Sequence, residues 1–166
     1  MGVDIHCHLV KYNSHTNTYI EIKLYKQQKD MFDSIPIFSG RNHNLFQILQ
    51  NEAGEELFPS HSIRLTSLEE KLRKQIEKAM ENGSGYYGFS EVSLADMKLY
   101  TIDNPLIVDY NSDEWDFYEK TGKKPMKTNP ICWFFEEICT YAKLYDDFDW
   151  EFSSLSDYKL IYYFDR

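Results

Sequence analysis

Long apolar runs are missing from this sequence of 166 residues, and so is any excess of basic charge. No stretch approaches the roughly 20 apolar residues of a transmembrane helix, so no membrane span is expected. Lysine and arginine total 18 against 27 aspartates and glutamates, a net charge of −9. Holding a nucleic-acid backbone takes clustered basic side chains, so direct nucleic-acid binding is not expected either. Cysteines are few: Cys7, Cys132 and Cys139, odd in number and without a C-x-x-C pair. That argues against a disulfide framework and for buried free thiols in a reducing compartment. Asp4, His6 and His8 interrupt the one early apolar stretch, which leaves no secretory signal to read, and a cytoplasmic location is the expectation. The glycine-rich residues 83–88 lack the Gly-Lys-Ser/Thr of a P-loop, and no G-x-S-x-G elbow occurs.

Aromatic side chains, by contrast, are abundant at 16 % of the chain, and the 42 % hydrophobic content is that of a globular protein. The length suits one domain, residues 1–166. Residues 3–11 and 18–25 alternate apolar and polar positions around a turn-forming connection at 12–17, the pattern of a hairpin with one buried face. Residues 26–41 read as a loop. Helices are expected from Asn42 to Ala53, from Ser67 to Asn82 with Ser67 and Glu70 at capping-box spacing, from Ser93 to Ile102, and from Asn129-Pro130 to Tyr145. Residues 103–128 look irregular. The closing run Tyr158-Lys159-Leu160-Ile161-Tyr162-Tyr163-Phe164-Asp165 is dense in β-forming residues. The expected fold class is α+β: a small antiparallel or mixed sheet, built from the N-terminal hairpin plus the C-terminal strand, with helices packed on one face.

Asp4, His6 and His8 fall on one face of the first strand, because side chains alternate along a strand. Three groups able to bind metal or move protons make that face the first candidate for chemistry. A D-x-H-x-H strand resembles the opening of metal-dependent hydrolase barrels, but those need further ligands and about 200 residues or more. With a turn centred near Ser14 and His15, His8 would face Glu21, His6 would face Lys23 and Asp4 would face Tyr25. Lys23 beside His6 would oppose a divalent cation. No metal or other cofactor is therefore expected; if a divalent metal binds, its ligands would be Asp4, His6 and His8. Arg41 and Asn42 open the second candidate: unpaired N–H groups at a helix start welcome an anion, and Arg41 could add a bidentate contact. Residues 109–113 start like a calcium loop and then fail, with Glu114 at the turn-glycine position and Lys120 at the last one. The acidic residues at 109–116 and 146–151 read as a solvated face.

The opening Met1-Gly2-Val3-Asp4-Ile5-His6 and the later Gly40-Arg41-Asn42-His43-Asn44-Leu45-Phe46-Gln47-Ile48-Leu49 resemble a family of small uncharacterised bacteriophage and prophage proteins. Members begin M-G-x-D-I-H and carry G-R-N-x-x-L-F-x-I-L. Segments like Val92-Ser93-Leu94-Ala95-Asp96-Met97 and Leu160-Ile161-Tyr162-Tyr163-Phe164-Asp165 complete the resemblance. It implies no activity, but it singles out Asp4, His6, Arg41, Asn42 and Asp165 as the recurring polar positions. The chain departs from the pattern at His8, Phe89, Glu91 and Arg166. The expectation is thus a phage-type accessory protein with a binding role rather than an enzyme. Its ligand site would comprise Asp4, His6, Arg41, Asn42 and Asp165, and its partner would be a small anionic ligand such as a nucleotide, or a host protein. The alternatives are a divalent-metal-dependent hydrolase using Asp4, His6 and His8, and an acidic interaction or inhibitor protein.

Overall fold

A computed structural model describes residues 4–22, 43–51, 57–109, 112–146, 148 and 152–165. Arg41, Asn42 and Lys23, and with them the expected 26–41 loop, lie outside the described residues. The fold is α+β around an open antiparallel sheet. Strand β1 (Asp4–Asn13) and β2 (Thr18–Glu21) form the expected hairpin, and the C-terminal strand, β7 (Tyr158–Asp165), pairs antiparallel with the other side of β1. Beyond it come β4 (Tyr86–Ser93) and the two-residue β3 (His61–Ser62), so the order is β2-β1-β7-β4-β3.

The strands read in the sequence are the ones with clean alternation. Ile5, Cys7 and Leu9 of β1, and Leu160, Tyr162 and Phe164 of β7, are buried in one core cluster. Helix α1 (His43–Leu49), α3 (Leu94–Asp103) and α5 (Pro130–Tyr145) contribute Leu45, Ile48 and Leu49, then Leu94 and Met97, then Ile131, Phe134, Phe135 and Ile138 to the same cluster. The expected layer of helices over the apolar sheet face is therefore present. Helix α2 (Glu70–Ala79) adds a cover on the opposite face, where its Leu72 and Ile76, with Leu68 just before it, bury against Val10 and Ile161. The backbone pins that helix to the hairpin, with the Glu69 N–H donating to the Tyr19 carbonyl at 3.0 Å.

Caps fix where the helices begin. Asn129 is fully buried; its Oδ1 accepts from the Ile131 N–H at 3.0 Å, and Pro130 occupies the first turn as expected. Its Nδ2 donates to the Asn104 carbonyl at 2.9 Å, which ties the end of α3 to the start of α5. Ser93 caps α3 by accepting from the Asp96 N–H at 3.1 Å. The expected Ser67/Glu70 capping box does not form. Ser67 ends a short 3-10 turn (Leu65–Ser67), its hydroxyl donates to the Arg64 carbonyl at 2.6 Å, and the helix starts three residues later, at Glu70. The described residues between 103 and 128 are more regular than their sequence suggests: β5 (Leu106–Val108) pairs with β6 (Met126–Thr128), and helix α4 (Trp115–Thr121) lies between them in the chain. Asp109, first residue of the false calcium loop, pairs with Lys127 at 3.4 Å. The short helix α6 (Phe152–Leu155) leads into β7.

Strand β4 escapes a sequence reading because it carries a bulge. Its register against β7 shifts between Tyr87 and Ser90, so Gly88 and Phe89 together oppose one partner residue. Gly88 has φ +69, and a Cβ there would lie 2.5 Å from Cδ2 of Phe164. Both the backbone and the space demand glycine. Gly88→Ala is expected to destabilise the protein by about 1–3 kcal/mol, measured as a lower urea midpoint. An unchanged midpoint would mean the bulge relaxes without cost.

Burial also sets an alkaline limit on the fold. The Tyr162 hydroxyl donates to the Leu49 carbonyl at 3.0 Å, and burial pushes its pKa from an ordinary 10.0 up to about 12. Burial likewise raises the Cys7 thiol, and it pushes Cys139 from 9.0 up to about 12. A raised pKa in the folded state means that the folded protein holds these protons more tightly. The associated stability is complete below the ordinary values and is lost as pH rises through the folded ones. Unfolding free energy should hold to about pH 9 and then fall, with Tyr162 alone removing about 3 kcal/mol as its titration completes. In Tyr162→Phe the alkaline decline should be shallower, with about 1 kcal/mol lost at neutral pH from the missing hydrogen bond.

Candidate functional site

The face of β1 opposite the helix layer carries Asp4, His6, His8 and Val10, as strand alternation requires. β7 contributes Lys159, Ile161, Tyr163 and Asp165 to the same face, because the register sets Asp4 opposite Asp165, His6 opposite Tyr163 and His8 opposite Ile161. Near the Val10 end the face is covered by α2. At the Asp4 end it is half-exposed, with the His6 and Asp165 side chains each at 31 %.

Two imidazoles two residues apart thus meet different surroundings. His6 is half-exposed. Its Nε2 lies 3.1 Å from Oδ2 of Asp165, and since an ionised carboxylate only accepts, the ring N–H donates. Its ring stacks on Tyr163 at 5.3 Å and 13°, and Tyr86 of β4 meets it edge-on at 5.3 Å and 84°. Nδ1 of His6 has no hydrogen-bond partner among the described residues. His8 is buried. Its Nδ1 lies 3.1 Å from Oε2 of Glu21 and its Nε2 lies 3.2 Å from the Tyr163 hydroxyl, so both nitrogens are engaged. Glu21 is buried with it, the two side chains being 7 % and 2 % exposed.

Further along the same face, fully buried Glu91 accepts from Lys159 Nζ at 3.2 Å and from the Arg64 N–H at 3.2 Å. Lys159 also lies over the Tyr19 ring at 4.5 Å. That arrangement is a satisfied ion pair under α2, a structural role. The acidic stretch near residue 146 is partly structural too: Asp146 pairs with Lys11 at 3.1 Å and accepts from the Tyr158 hydroxyl.

Asp4, His6 and Asp165 are therefore brought together at one end of the sheet, while Arg41 and Asn42 lie outside the described residues. The hairpin register differs from expectation. Glu21 stands opposite Val10 rather than His8, because β1 runs on to Asn13 and the loop is the four residues 14–17. Asn13 Oδ1 accepts from the His15 N–H at 2.9 Å, and Asn17 takes φ +53, which closes the longer loop. The slip is two residues, so every side chain keeps its face, and Glu21 reaches His8 diagonally. Among the described residues no group of three or more His, Cys, Asp or Glu is placed to hold a metal ion. Asp4, His6 and His8 share a face, but His8 has no lone pair to spare. Cys7 and Cys139 are buried and Cys132 is half-buried, all three as free thiols. Tyr86 and Phe89, which frame the site from β4, were not foreseen as part of it. The run Tyr86-Tyr87-Gly88-Phe89 signals them as β-formers broken by one glycine, the mark of a bulged strand.

Comparison of the chain with protein-family models, with curated proteins and with solved structures finds no match.

Removing one half of a buried pair leaves the other charged or polar group stranded. His8→Leu should cost about 3–5 kcal/mol, because Glu21 stays buried with no partner. Chemical denaturation of the double variant His8→Leu/Glu21→Leu should show a smaller loss than His8→Leu alone. A double variant that is the weaker of the two would mean that Glu21 is not stranded by the loss of His8.

Proposed function

We propose that the chain is a phage-type accessory protein that binds a small nucleotide-like anionic ligand at the Asp4/His6/Asp165 end of the sheet. The observation that carries the reading is the half-exposed His6–Asp165 pair set against the Tyr86 and Tyr163 rings. Carboxylates repel a phosphate, so Asp4 and Asp165 suit the neutral part of such a ligand. They accept from sugar hydroxyls or base N–H groups, as acidic residues at dinucleotide sites accept from ribose. Tyr86 offers a flat ring for a base. The phosphate is assigned to Arg41 and Asn42, the two members of the sequence-derived site outside the described residues. A host protein remains the alternative partner, and the phage assignment rests on the sequence motifs.

A thermal-shift panel of nucleosides, nucleotides and inorganic phosphate tests the proposal. Ligand at about 100 times its Kd stabilises by about 2.7 kcal/mol, a rise of several degrees in Tm. Asp165→Asn should weaken nucleoside and nucleotide binding alike. Arg41→Ala should weaken nucleotide binding about tenfold or more, about 1.4 kcal/mol, and leave nucleoside binding and the free protein's Tm nearly unchanged. A large loss of Tm with binding intact would make Arg41 structural, and no shift with any nucleotide would end the ligand assignment.

A second reading, an enzyme, is favoured by one detail. His6 is held through Nε2 by Asp165 while Nδ1 has no partner among the described residues, the arrangement of an oriented general base. With both His8 nitrogens engaged, a hydrolase here would use His6 as a base rather than an Asp4/His6/His8 metal centre. Elemental analysis after incubation with zinc or manganese, repeated on His6→Ala, separates the two forms of that reading.

A further inference from the structure

His8 occupies the point where the sheet face passes from covered to open. Its neighbours Val10 and Ile161 are buried apolar residues under α2, and an apolar side chain would fit the pattern at this position too. An imidazole and a carboxylate buried here lose hydration that an apolar pair would not. Every polar atom is nonetheless satisfied. Glu21 accepts from His8 Nδ1, and His8 Nε2 meets the Tyr163 hydroxyl. From Tyr163 the contact continues through ring faces. Tyr163 stacks on His8 at 5.8 Å and 25°, on Phe89 at 4.9 Å and 25°, and on His6 at 5.3 Å and 13°. Tyr86 closes the group edge-on to both Tyr163 and His6.

The ring of His6 needs such a support. The torsion that turns an imidazole is broad and nearly two-fold, so one hydrogen bond donated to a half-exposed carboxylate does not by itself fix the ring plane. The nearly parallel Tyr163 ring does. With the plane fixed and Nε2–H on Asp165, the neutral imidazole has its lone pair on Nδ1. We propose that Glu21, His8 and Tyr163 form a buried positioning chain that holds His6 as the Nε2–H tautomer, with Nδ1 an acceptor for a ligand hydroxyl or N–H. This deepens the proposed binding site and rests on that reading only for the word ligand. His8 and Glu21 act through Tyr163 and do not touch what binds.

Long-range proton–nitrogen NMR of the imidazoles, at a pH where the rings are neutral, tests the proposal on the full chain without any ligand. The wild-type protein should show His6 as a single Nε2–H tautomer. Tyr163→Phe keeps the ring and removes the anchoring hydroxyl, and His6 should lose the single-tautomer signature and give mixed nitrogen shifts. His8→Leu should do the same if it folds. Glu21→Gln, whose amide oxygen still accepts the Nδ1–H, should retain the wild-type signature. Asp165→Asn, which alters the bond to His6 directly, sets the size of a full response. A folded Tyr163→Phe protein with an unchanged His6 tautomer overturns the proposal, as does a wild-type His6 that is not the Nε2–H form. The tautomer result stands whichever way the nucleotide panel turns out, so failure of the positioning chain and failure of the ligand assignment are separate results.

Discussion

Tyr162 and Tyr163 are neighbours in the chain and point to opposite faces of the sheet, and most of the structure follows from what each requires. They lie on β7, which is paired on both sides, with β1 and with β4. A strand in that position has no solvent edge, so both of its faces must be filled. Tyr162 goes to the helix layer, where its hydroxyl finds the Leu49 carbonyl and helps hold α1 against the sheet. Tyr163 goes to the other face, where its hydroxyl finds His8. Each phenol buries a large ring and needs a partner for its one polar atom. The two partners organise the two sides of the molecule.

The second face is organised by degrees of cover. At one end α2 seals it with Leu68, Leu72 and Ile76 over Val10 and Ile161. In the middle the cover becomes aromatic and polar, with Glu21, His8 and Phe89 around Tyr163. At the far end His6, Asp165 and Tyr86 are partly open. The same residue type therefore has two roles two positions apart. His8 is a buried link with both nitrogens engaged. His6 is a surface group with one nitrogen engaged. The difference comes from the strand pairing and from where α2 lies, since the imidazoles themselves are alike.

Much of this was legible locally. The alternation in residues 4–11, the β-forming run 158–165, the Asn129-Pro130 start and the four-residue spacing of Leu68, Leu72 and Ile76 each follow a short-range rule and hold, whereas Met80, next in that spacing, is 37 % exposed. The union of Asp4, His6 and Asp165 could be inferred by supposing the two terminal strands antiparallel, because the register then sets one strand's start beside the other's end. Strand β4 and the pair β5–β6 were not legible. Bulged β4 breaks its own period at Gly88, and three-residue strands carry too little pattern to register. Ser67 fits the spacing of a capping box yet uses its hydroxyl on the Arg64 carbonyl, a choice between two local bonds that spacing cannot rank.

The sequence by itself determined which residues face which way: side-chain alternation is a property of the extended backbone and survives even the two-residue slip of the hairpin. It also determined the fold class and the core-facing helices, since amphipathic periodicity has only one economical use. The tertiary structure decided which of those facing residues touch. Contacts between residues 13, 155 or 159 positions apart, as for Glu21 with His8, His8 with Tyr163, and His6 with Asp165, depend on register and loop length. Those are settled by the packing of the whole sheet against its two covers, and no local rule contains them.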